Sequence, residues 1–587
     1  MFRVRWLGRV PYAEALALQR AVHDRSGDDY LLVLEHPHVF TLGAHADRAH
    51  VLVDPAVVGA DLVETDRGGD VTYHGPGQLV AYPVVTVPTA PRSIPCHVHA
   101  IEQVVIDALA DLGLPAGRLG AYPGVWVDVD SEAPRKICAI GVRVARGRSM
   151  HGLALNVDPD MTWFERIVPC GIEDKGVTSL AAEGLTMPMR AVVDRIVHHA
   201  AARWSSDGTY ERQDAAWPAR PPGTAPLVRA GDAPASDRPP DDTAGPRGAP
   251  ASPEGGAPRH GDRGARHRGP GQRLRIRLRQ AGVEPGAGLD AHARKPPWLR
   301  VPARMGPAFL DLRRTVRDLG LVTVCEEAGC PNIYECWADG TATFMINGER
   351  CTRACGFCLV DTRHPLPLDD DEPERVAAAV ERLGLAHAVV TAVARDDLPD
   401  GGAGAFVATI AAVRRRCPGT AVEVLVPDCK GAPDALAAVF DARPDVLNHN
   451  VETVARLQRA VRPSAGYARS LAVLARAKDA GLVTKSGMIL GMGERFDEVV
   501  ATLADMRAVG VDIVTLGQYL RPTAAHLPVA RWWTPEEFDA VRSAAQGMGF
   551  AHVEASPLTR SSYHARQAAT ATGPAPPGDP LRLGVDG

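Results

Sequence analysis

The stretch Cys351-Thr-Arg-Ala-Cys355-Gly-Phe-Cys358 indicates both the fold and the chemistry of the second half of this 587-residue chain. It is a C-x3-C-x2-C pattern that directly follows Thr343–Ile346, an apolar run typical of a buried strand. Three thiolates on one short loop can bind three irons of a [4Fe–4S] cluster and leave the fourth iron open. Structural zinc is the alternative, but it requires four ligands in two knuckles, and no second knuckle or His pair is present. The flanking Thr, Arg and Gly argue against packed core cysteines.

Around this loop, short apolar runs alternate with helical patterns of 10–15 residues. This rhythm predicts repeated βα units and therefore a parallel sheet or barrel, an α/β fold in which chemistry sits at the carboxyl ends of the strands. The predicted strands are Ala342–Ile346, Ala388–Val393, Val422–Val426, Asp445–His449, Leu482–Leu490, Ile513–Tyr519 and His552–Ala555.

Two further patterns flank the first one. Cys325-Glu-Glu-Ala-Gly-Cys330-Pro-Asn-Ile-Tyr-Glu-Cys336 is C-x4-C-x5-C, three more thiolates positioned to hold a separate cluster. In a reducing compartment, so many cysteines close together indicate metal binding rather than disulfides. Gly487-Met-Ile489-Leu-Gly491-Met-Gly-Glu494 is a G-x-I-x-G-x-x-E pattern at the end of a predicted strand.

The C-x3-C-x2-C loop resembles that of the radical S-adenosylmethionine superfamily, and its combination with C-x4-C-x5-C resembles lipoyl synthase from Lys295 to about Arg566. The resemblance implies a partial (β/α) barrel with two [4Fe–4S] clusters. One cluster, on Cys351, Cys355 and Cys358, would bind S-adenosylmethionine at its open iron and split it to a 5′-deoxyadenosyl radical. The other, on Cys325, Cys330 and Cys336, would be consumed as the source of sulfur.

The same resemblance assigns roles to further residues. In lipoyl synthases a serine of the Arg560-Ser-Ser-Tyr-His564 type of motif is the fourth ligand of the second cluster; by position it is Ser562, with Ser561 the alternative. Gly487, Ile489, Gly491 and Glu494 would lie beside the adenosine of S-adenosylmethionine. The chain departs from the family pattern at Cys429, where an aromatic residue is usual, and at Ala555-Ser-Pro-Leu-Thr, which precedes Arg560.

The composition predicts the domain organisation. Residues 206–290 are rich in Gly and Pro and poor in large apolar residues, so we expect a disordered linker there, and a disordered tail at 567–587. Residues 1–205 and 291–566 are the two predicted domains. A net charge of −5 argues against nucleic acid or an anionic membrane as partner. No run of about 20 apolar residues occurs and Met1–Trp6 lacks an apolar signal core, so we expect a cytoplasmic protein.

Before the predicted linker, strands outnumber helices and do not alternate with them, which favours an α+β layer fold. Helical patterns occupy Tyr12–Arg25, Val98–Leu112 and Met189–Ala202. The predicted strands are Leu31–Leu34, Val84–Val87, Val125–Val129, Ala139–Val144 and Gly152–Val157.

Cys170, between Pro and Gly on a predicted loop, is a candidate nucleophile, and Lys136 is the cation that could favour its thiolate. Together with Arg67-Gly-Gly-Asp-Val-Thr-Tyr-His74 and His151-Gly-Leu-Ala154, these residues resemble lipoyl(octanoyl) transferase. The resemblance implies a lipoate/biotin ligase-like α+β fold, with Cys170 as acyl acceptor and Lys136 as its activating cation. The residues implied to line the acyl site are Arg67, Gly68, Gly69, Asp70, Val71, Thr72, Tyr73, His74, Ala139, Ile140, Gly141, Gly152, Leu153 and Ala154.

The two resemblances together imply a bifunctional enzyme of lipoate biosynthesis, an octanoyltransferase followed by a lipoyl synthase. The implied partners are octanoyl-acyl carrier protein, lipoyl domains of 2-oxoacid dehydrogenase E2 subunits and of the glycine cleavage H protein, and an electron donor such as ferredoxin or flavodoxin. One alternative is an ATP-dependent lipoate-protein ligase-like N-terminal domain, which would need no cysteine nucleophile. Another is a non-catalytic iron–sulfur scaffold or sensor, which would need neither Cys170 nor the open-iron motif.

Overall fold

The computed structural model of the chain describes residues 1–90, 93–120, 122–172, 175–215, 227–229, 270–284, 288–290, 293–300, 313–314, 318–323, 332–338 and 341–571. Within these ranges the chain forms an N-terminal and a C-terminal unit, each built on its own sheet. None of the helices in the described part has the length and apolar character needed to cross a bilayer.

The N-terminal unit is an α+β layer structure, as predicted. Its elements are β1 (Phe2–Arg9), α1 (Tyr12–Arg25), β2 (Asp29–Glu35), β3 (Val39–Leu42), α2 (Pro55–Val58), β4 (Asp61–Glu64), β5 (Val71–His74), β6 (Gln78–Val84), α3 (Ser93–Asp111), β7 (Gly117–Leu119), β8 (Tyr122–Val127), β9 (Arg135–Ala145), β10 (Arg148–Asn156), β11 (Gly176–Val177), α4 (Met189–Trp204), β12 (Thr209–Asp214) and β13 (Leu227–Arg229). Over the described residues the main sheet has the order β13-β12-β1-β2-β6-β10-β9-β8-β7, and a small sheet has the order β4-β3-β5.

The main sheet buries both of its faces. Val4, Leu31 and Val33 project from one face and pack with apolar residues of α3 and α4. Leu32 and Val80 project from the other face and pack against α1. Because successive strand residues point to opposite faces, the near-continuous apolar run of β2 is the pattern expected of a strand buried on both sides.

The C-terminal unit has the predicted parallel α/β sheet. Its elements are α5 (Pro270–Gln280), β14 (Val322–Thr323), α6 (Ile333–Ala338), β15 (Thr341–Ile346), α7 (Glu372–Leu383), β16 (His387–Ala392), α8 (Ala403–Arg416), β17 (Ala421–Leu425), α9 (Pro433–Asp441), β18 (Val446–Asn448), α10 (Gln458–Val461), α11 (Tyr467–Asp479), β19 (Thr484–Leu490), α12 (Phe496–Ala508), β20 (Ile513–Gln518), α13 (Pro535–Gly547), β21 (His552–Ala555) and α14 (Ala565–Thr570). Strands β14 to β21 lie in chain order, parallel from β15 onward, as in a partial (β/α) barrel.

The prediction of disorder is wrong at both ends of the linker and at the start of the tail. Strand β12 pairs with β1 although its sequence is polar, because Glu211 binds the buried Arg5 and the buried Arg212 binds Asp194, which is partly exposed. Helix α5 buries Leu278 against the C-terminal unit, and α14 extends to Thr570 with Ala568 buried. Most of the remaining linker and tail lies outside the described residues. The strand predicted at Val84–Val87 is instead Gln78–Val84.

A buried ion pair lies inside the parallel sheet. The Lys485 ammonium donates to both Glu423 carboxylate oxygens at 2.9 and 3.2 Å, and both side chains are at most 1% exposed. Burial alone would raise the pKa of Glu423, but the charges and hydrogen bonds of Lys485 and His387 together outweigh it and lower that pKa to about 2. The stabilisation from this carboxylate is therefore present above its ordinary pKa of 4.5 and is lost as the pH falls from there to about 2.

Replacing Lys485 with Met should destabilise the C-terminal unit by about 3–5 kcal/mol, because Glu423 loses its main counter-charge without regaining water. For a unit of this size the Tm should fall by about 6–20 °C in calorimetry of the full chain. The control is Lys478→Met, since Lys478 and its partner Asp512 are partly exposed and their pair is worth about 1 kcal/mol or less. Equal shifts for the two variants would contradict this account of the pair.

Candidate functional site

A cavity in the N-terminal unit lies where β5, β9 and β10 meet the start of α1. It contains most of the predicted acyl-site residues together with Cys170. The lining residues are Tyr12, Arg67, Gly68, Gly69, Asp70, Thr72, His74, Tyr82, Ala139, Ile140, Gly141, His151, Gly152, Leu153, Ala154 and Cys170.

Two predicted acyl-site residues, Val71 and Tyr73, do not line this cavity. They alternate along β5 with Thr72 and His74, so they face the opposite side of the strand. There they are fully buried in an apolar cluster with Trp163. Assigning the whole motif to the site was therefore wrong at these two positions, because a strand presents only every second residue to one side.

Three of the lining residues are not among those predicted from the sequence. Tyr12 begins α1, Tyr82 lies on β6, and His151 lies on β10 next to the predicted Gly152. His151 is the first residue of the His151–Ala154 motif, so that motif could have identified it. No local pattern marks Tyr12 or Tyr82, because only the packing of α1 on the sheet brings them to the cavity.

The glycines of the cavity allow the backbone to come close. A Cβ added to Gly141 would lie 2.9 Å from the Gly68 oxygen, and one added to Gly152 would lie 2.3 Å from the Ala81 oxygen. These contacts are shorter than side chains allow. Any other residue at either position would displace a neighbouring strand or the Gly68–Gly69 segment.

Arg67 is the cation that lines the cavity with Cys170. Its guanidinium is buried and donates to the backbone oxygens of Thr41 and Asp70, both at 2.7 Å. Burial lowers its pKa, but an arginine remains charged at neutral pH. A fixed positive charge therefore lies in the cavity wall.

The buried histidines near the cavity are neutral. Burial lowers the pKa of His74 to about 3 and that of His36 to about 4. His36 bonds Val10 O through Nδ1 at 2.7 Å and the Tyr82 hydroxyl through Nε2 at 2.7 Å. Because a carbonyl only accepts, Nδ1 carries the proton and Nε2 accepts from Tyr82. This fixes the Tyr82 hydroxyl at the cavity wall.

Cys170 lies on a short turn, Pro169–Gly171, in a left-handed backbone conformation with φ of 57°. Its side chain is partly exposed and free of disulfides. Gly171 also has positive φ, and a Cβ there would lie 2.7 Å from Asp70 Oδ2. Asp70 in turn binds His50 Nδ1 at 2.5 Å. The turn holding Cys170 is thus packed against the Arg67–His74 motif.

Lys136 lies on β9 but does not line the cavity. Its side chain is buried, with the ammonium 4.8 Å from the centre of the Trp126 ring. Among the described residues no carboxylate forms an ion pair with Lys136. Residues 173–174, which follow Cys170 closely in the sequence, lie outside the described part of the chain. The expected pairing of Lys136 with Cys170 stays a prediction.

In the C-terminal unit, the Cys351–Cys358 loop follows β15 and is anchored on both sides. Gly356 N donates to Val461 O at 2.8 Å, and Leu527 N donates to Gly356 O at 2.9 Å. Cys351 Sγ accepts hydrogen bonds from Arg353 N and Ala394 N. Burial raises the pKa of the Cys355 thiol to about 12 and also raises that of Cys358.

The residues on this loop fit a cubane cluster. Among the described residues no three Cys, His, Asp or Glu side chains converge on one point as ligands of a single metal ion do. Thiolates of a [4Fe–4S] cluster each bind a different iron and need not converge. N–H groups directed at Cys351 Sγ suit a negatively charged sulfur ligand, and iron would supply the positive charge that partly buried thiolates require.

The second cysteine group is described only at Cys336, since Cys325 and Cys330 lie outside the described residues. Cys336 lies on α6, which faces the Arg560–His564 motif: the Tyr563 hydroxyl donates to Glu335 at 3.1 Å, and Asn332 donates to Leu558 O at 2.7 Å. Ser561 Oγ accepts from Asn450 at 2.7 Å. The choice of Ser562 over Ser561 as the ligand stays a prediction.

The Gly487–Glu494 segment comprises the end of β19 and the following turn. The Glu494 carboxylate is buried and accepts from Gly491 N, Met492 N and the Thr453 hydroxyl. Those bonds hold the turn itself. A Cβ on Gly487 would lie 2.5 Å from Thr515 Oγ1, so this glycine is required by packing on β20. Ile489 is half-buried at the same strand end. Contact of these residues with an adenosine remains a prediction.

Comparison with known proteins matches the N-terminal and C-terminal units to different families. Residues 11–201 match the family model of the lipoyl protein ligase A/B catalytic domain, and residues 345–506 match that of the radical SAM superfamily. Lipoyl synthase of Mycobacterium avium is 57% identical over 282 residues, 47% of this chain and 92% of that protein. Lipoyl synthase of Rubrobacter xylanophilus is 58% identical over 275 residues, 46% of this chain and 86% of that protein.

The chain belongs to the lipoyl synthase family. It is an enzyme that joins a lipoyl synthase unit to a ligase/transferase-type catalytic domain. S-adenosylmethionine and [4Fe–4S] chemistry are implied by this family and by the radical SAM match. A solved bipartite lipoate protein ligase from Thermoplasma acidophilum aligns with 35% of this chain and 84% of its own, at 18% identity and a TM-score of 0.30.

Proposed function

We propose that the chain performs two consecutive steps of lipoate biosynthesis. The N-terminal unit transfers an octanoyl group from acyl carrier protein to a lysine of a lipoyl domain. The lipoyl synthase unit then inserts sulfur at carbons 6 and 8 of the bound octanoyl group. The observation that carries the proposal is the presence, in one chain with a lipoyl synthase, of a cavity that contains Cys170 among conformationally constrained glycines. The product of such a transferase is the substrate of the second unit.

In the transfer step, the Cys170 thiolate attacks the thioester carbonyl of octanoyl-acyl carrier protein. The acyl–sulfur bond to the carrier breaks, the carrier thiol leaves, and the octanoyl group is held as a thioester on Cys170. The lipoyl-domain lysine then attacks this thioester, forms an amide and returns the cysteine. Arg67 in the cavity wall and Lys136 supply the positive charge that favours the thiolate.

The cavity also favours transfer over adenylation. Burial lowers the pKa of the two lining histidines, His74 and His151, so Arg67 is the cation that we assign to the cavity wall, and Lys136 is a second cation outside the lining. A ligase that activates a free acid with ATP has no use for a cysteine nucleophile on a constrained turn. The partners we propose are octanoyl-acyl carrier protein and the lipoyl domains of 2-oxoacid dehydrogenases and of the glycine cleavage H protein.

In the second step, Cys351, Cys355 and Cys358 would hold the cluster that binds S-adenosylmethionine. Cys325, Cys330, Cys336 and Ser562 would hold the second cluster. When bound, the first cluster and S-adenosylmethionine supply a radical able to remove hydrogen from unactivated carbons, which no side chain of this chain can do by polar chemistry. A hydroxyl ligand such as Ser562 leaves iron more easily than a thiolate and suits a cluster that is consumed. A ferredoxin or flavodoxin would supply the electron.

Incubation of the full chain with octanoyl-acyl carrier protein, without ATP, should add one octanoyl mass to Cys170. Hydroxylamine should remove this adduct, as it cleaves a thioester. Cys170→Ser should not form the adduct, because a serine hydroxyl is not ionised near neutral pH. Cys96→Ser is the matched control, since Cys96 is exposed on α3. Lys136→Met should slow the labelling of Cys170. Transfer that requires ATP would assign the N-terminal unit to the ligases instead.

The reconstituted protein should contain about eight irons per chain, in two [4Fe–4S] clusters. Replacing Cys351, Cys355 and Cys358 together with Ala should abolish reductive cleavage of S-adenosylmethionine, because the open iron is lost. Replacing Cys325, Cys330 and Cys336 should stop sulfur insertion but leave cleavage intact. Cys417→Ala is the control, since Cys417 is partly buried directly after α8 and belongs to neither cysteine pattern. Cleavage that persists in the first triple variant would contradict the assignment.

A further inference from the structure

The N-terminal and C-terminal units share a buried interface, and its centre is the carboxylate of Asp505 on α12. This carboxylate accepts hydrogen bonds from Arg5 Nε at 2.7 Å, from the Tyr30 hydroxyl at 3.2 Å and from the Tyr467 hydroxyl at 2.7 Å. Arg5 and Tyr30 belong to the N-terminal unit. Because Arg5 and Asp505 are 2% and 3% exposed, separating the two units would break a buried ion pair and leave the Asp505 carboxylate without its cation.

Helix α1 provides the apolar part of this interface. Ala15, Leu18 and Val22 on α1 belong to one continuous buried cluster with residues of α11, among them Ala468 and Leu471. Small residues on both helices let them approach closely. A face of this composition would be an exposed apolar patch on a separate transferase, and in this chain the C-terminal unit covers it.

An ion pair fixes the first turn of α1 against the C-terminal unit. Glu14 accepts from Arg469 Nε at 2.7 Å, with Glu14 6% and Arg469 24% exposed. A Cβ on Gly431 would lie 2.5 Å from Glu14 Oε1, so only glycine admits the carboxylate there. Cys429, where the chain departs from the usual lipoyl synthase pattern, lies two residues before Gly431, but its own side chain packs in an apolar cluster of the C-terminal unit.

The same turn of α1 forms a wall of the cavity that contains Cys170. Tyr12, two residues before Glu14, lines the cavity, stacks on His74 with ring centres 6.2 Å apart and donates to Thr65 Oγ1 at 3.2 Å. A helix turn is rigid, so a displacement of Glu14 moves Tyr12. The interface and the acyl cavity are two sides of one helix turn.

We propose that the lipoyl synthase unit is a positioning partner of the acyl-transfer site, and that it acts through the Glu14–Arg469 contact on α1. The interaction surface is formed by α1, Arg5 and Tyr30, and the partner that it fits is the α11–α12 face of the same chain. Glu14 and Arg469 are positioning residues and touch no substrate. This inference rests on the proposed function of the N-terminal unit as an acyltransferase.

The test is a charge swap in the full chain. Glu14→Arg and Arg469→Glu each place like charges in contact, and each should raise the octanoyl-acyl carrier protein concentration needed for half-maximal Cys170 acylation by about tenfold, because the cavity wall shifts. The double variant Glu14→Arg/Arg469→Glu should restore acylation to within about threefold of the wild type. Asp479→Ala removes an exposed ion pair between the same units, with Arg25, and should change acylation by less than about twofold.

A second readout separates positioning from loss of fold. Each variant should still convert a lipoyl domain that arrives already octanoylated, because that reaction uses only the C-terminal unit. Single variants that acylate at the wild-type rate would overturn the inference, and so would a double variant as slow as the single ones. A wild-type chain that forms no octanoyl adduct at all would overturn the proposed function itself, and the inference with it.

Discussion

The arrangement of the two units depends on the burial of the Asp505 carboxylate beside Arg5. A charge of this kind is tolerated only when it is paired and fully hydrogen-bonded, and here one arginine and two tyrosine hydroxyls satisfy it. Arg5 also pairs with Glu211 of β12, so strand β12 belongs to this network as well. The Asp505 carboxylate on α12 is therefore linked, directly or through Arg5, to strands β1, β2 and β12 of the N-terminal unit.

The two reaction centres use opposite physical strategies. The cavity near Cys170 is built for polar chemistry: it has close backbone approach at Gly141 and Gly152, a fixed guanidinium at Arg67 and neutral imidazoles. The cysteine loop after β15 instead keeps its thiols partly buried and anchored, which suits a metal cluster rather than a nucleophile. Lipoate formation requires both, because amide formation is polar chemistry whereas functionalising unactivated carbons is not.

Sequence patterns predicted what depends on local periodicity and on spacing. Helix α1 begins and ends at the predicted residues, and the parallel order of β15 to β21 follows from the βα rhythm. They failed where tertiary contacts outweigh composition. Strand β12 is polar, yet it forms because Glu211 pairs with the buried Arg5 and the buried Arg212 pairs with Asp194. Helix α5 packs through Leu278 although its surroundings are rich in Gly and Pro. They also could not show that Val71 and Tyr73 face away from the cavity, or that Glu14 meets Arg469, because such contacts join residues far apart in the chain.

Whether one chain makes the octanoyl amide and then sulfurates it can be measured by following the mass of an apo lipoyl domain. The full chain is supplied, without air, with octanoyl-acyl carrier protein, S-adenosylmethionine, a reductant and the apo domain. We expect an octanoyl intermediate that is replaced by the lipoyl product. A Cys170→Ser chain should make neither species from the apo domain, yet should convert a domain that is already octanoylated. If intact, fully reconstituted protein accumulates the octanoyl domain and never converts it, the claim is contradicted.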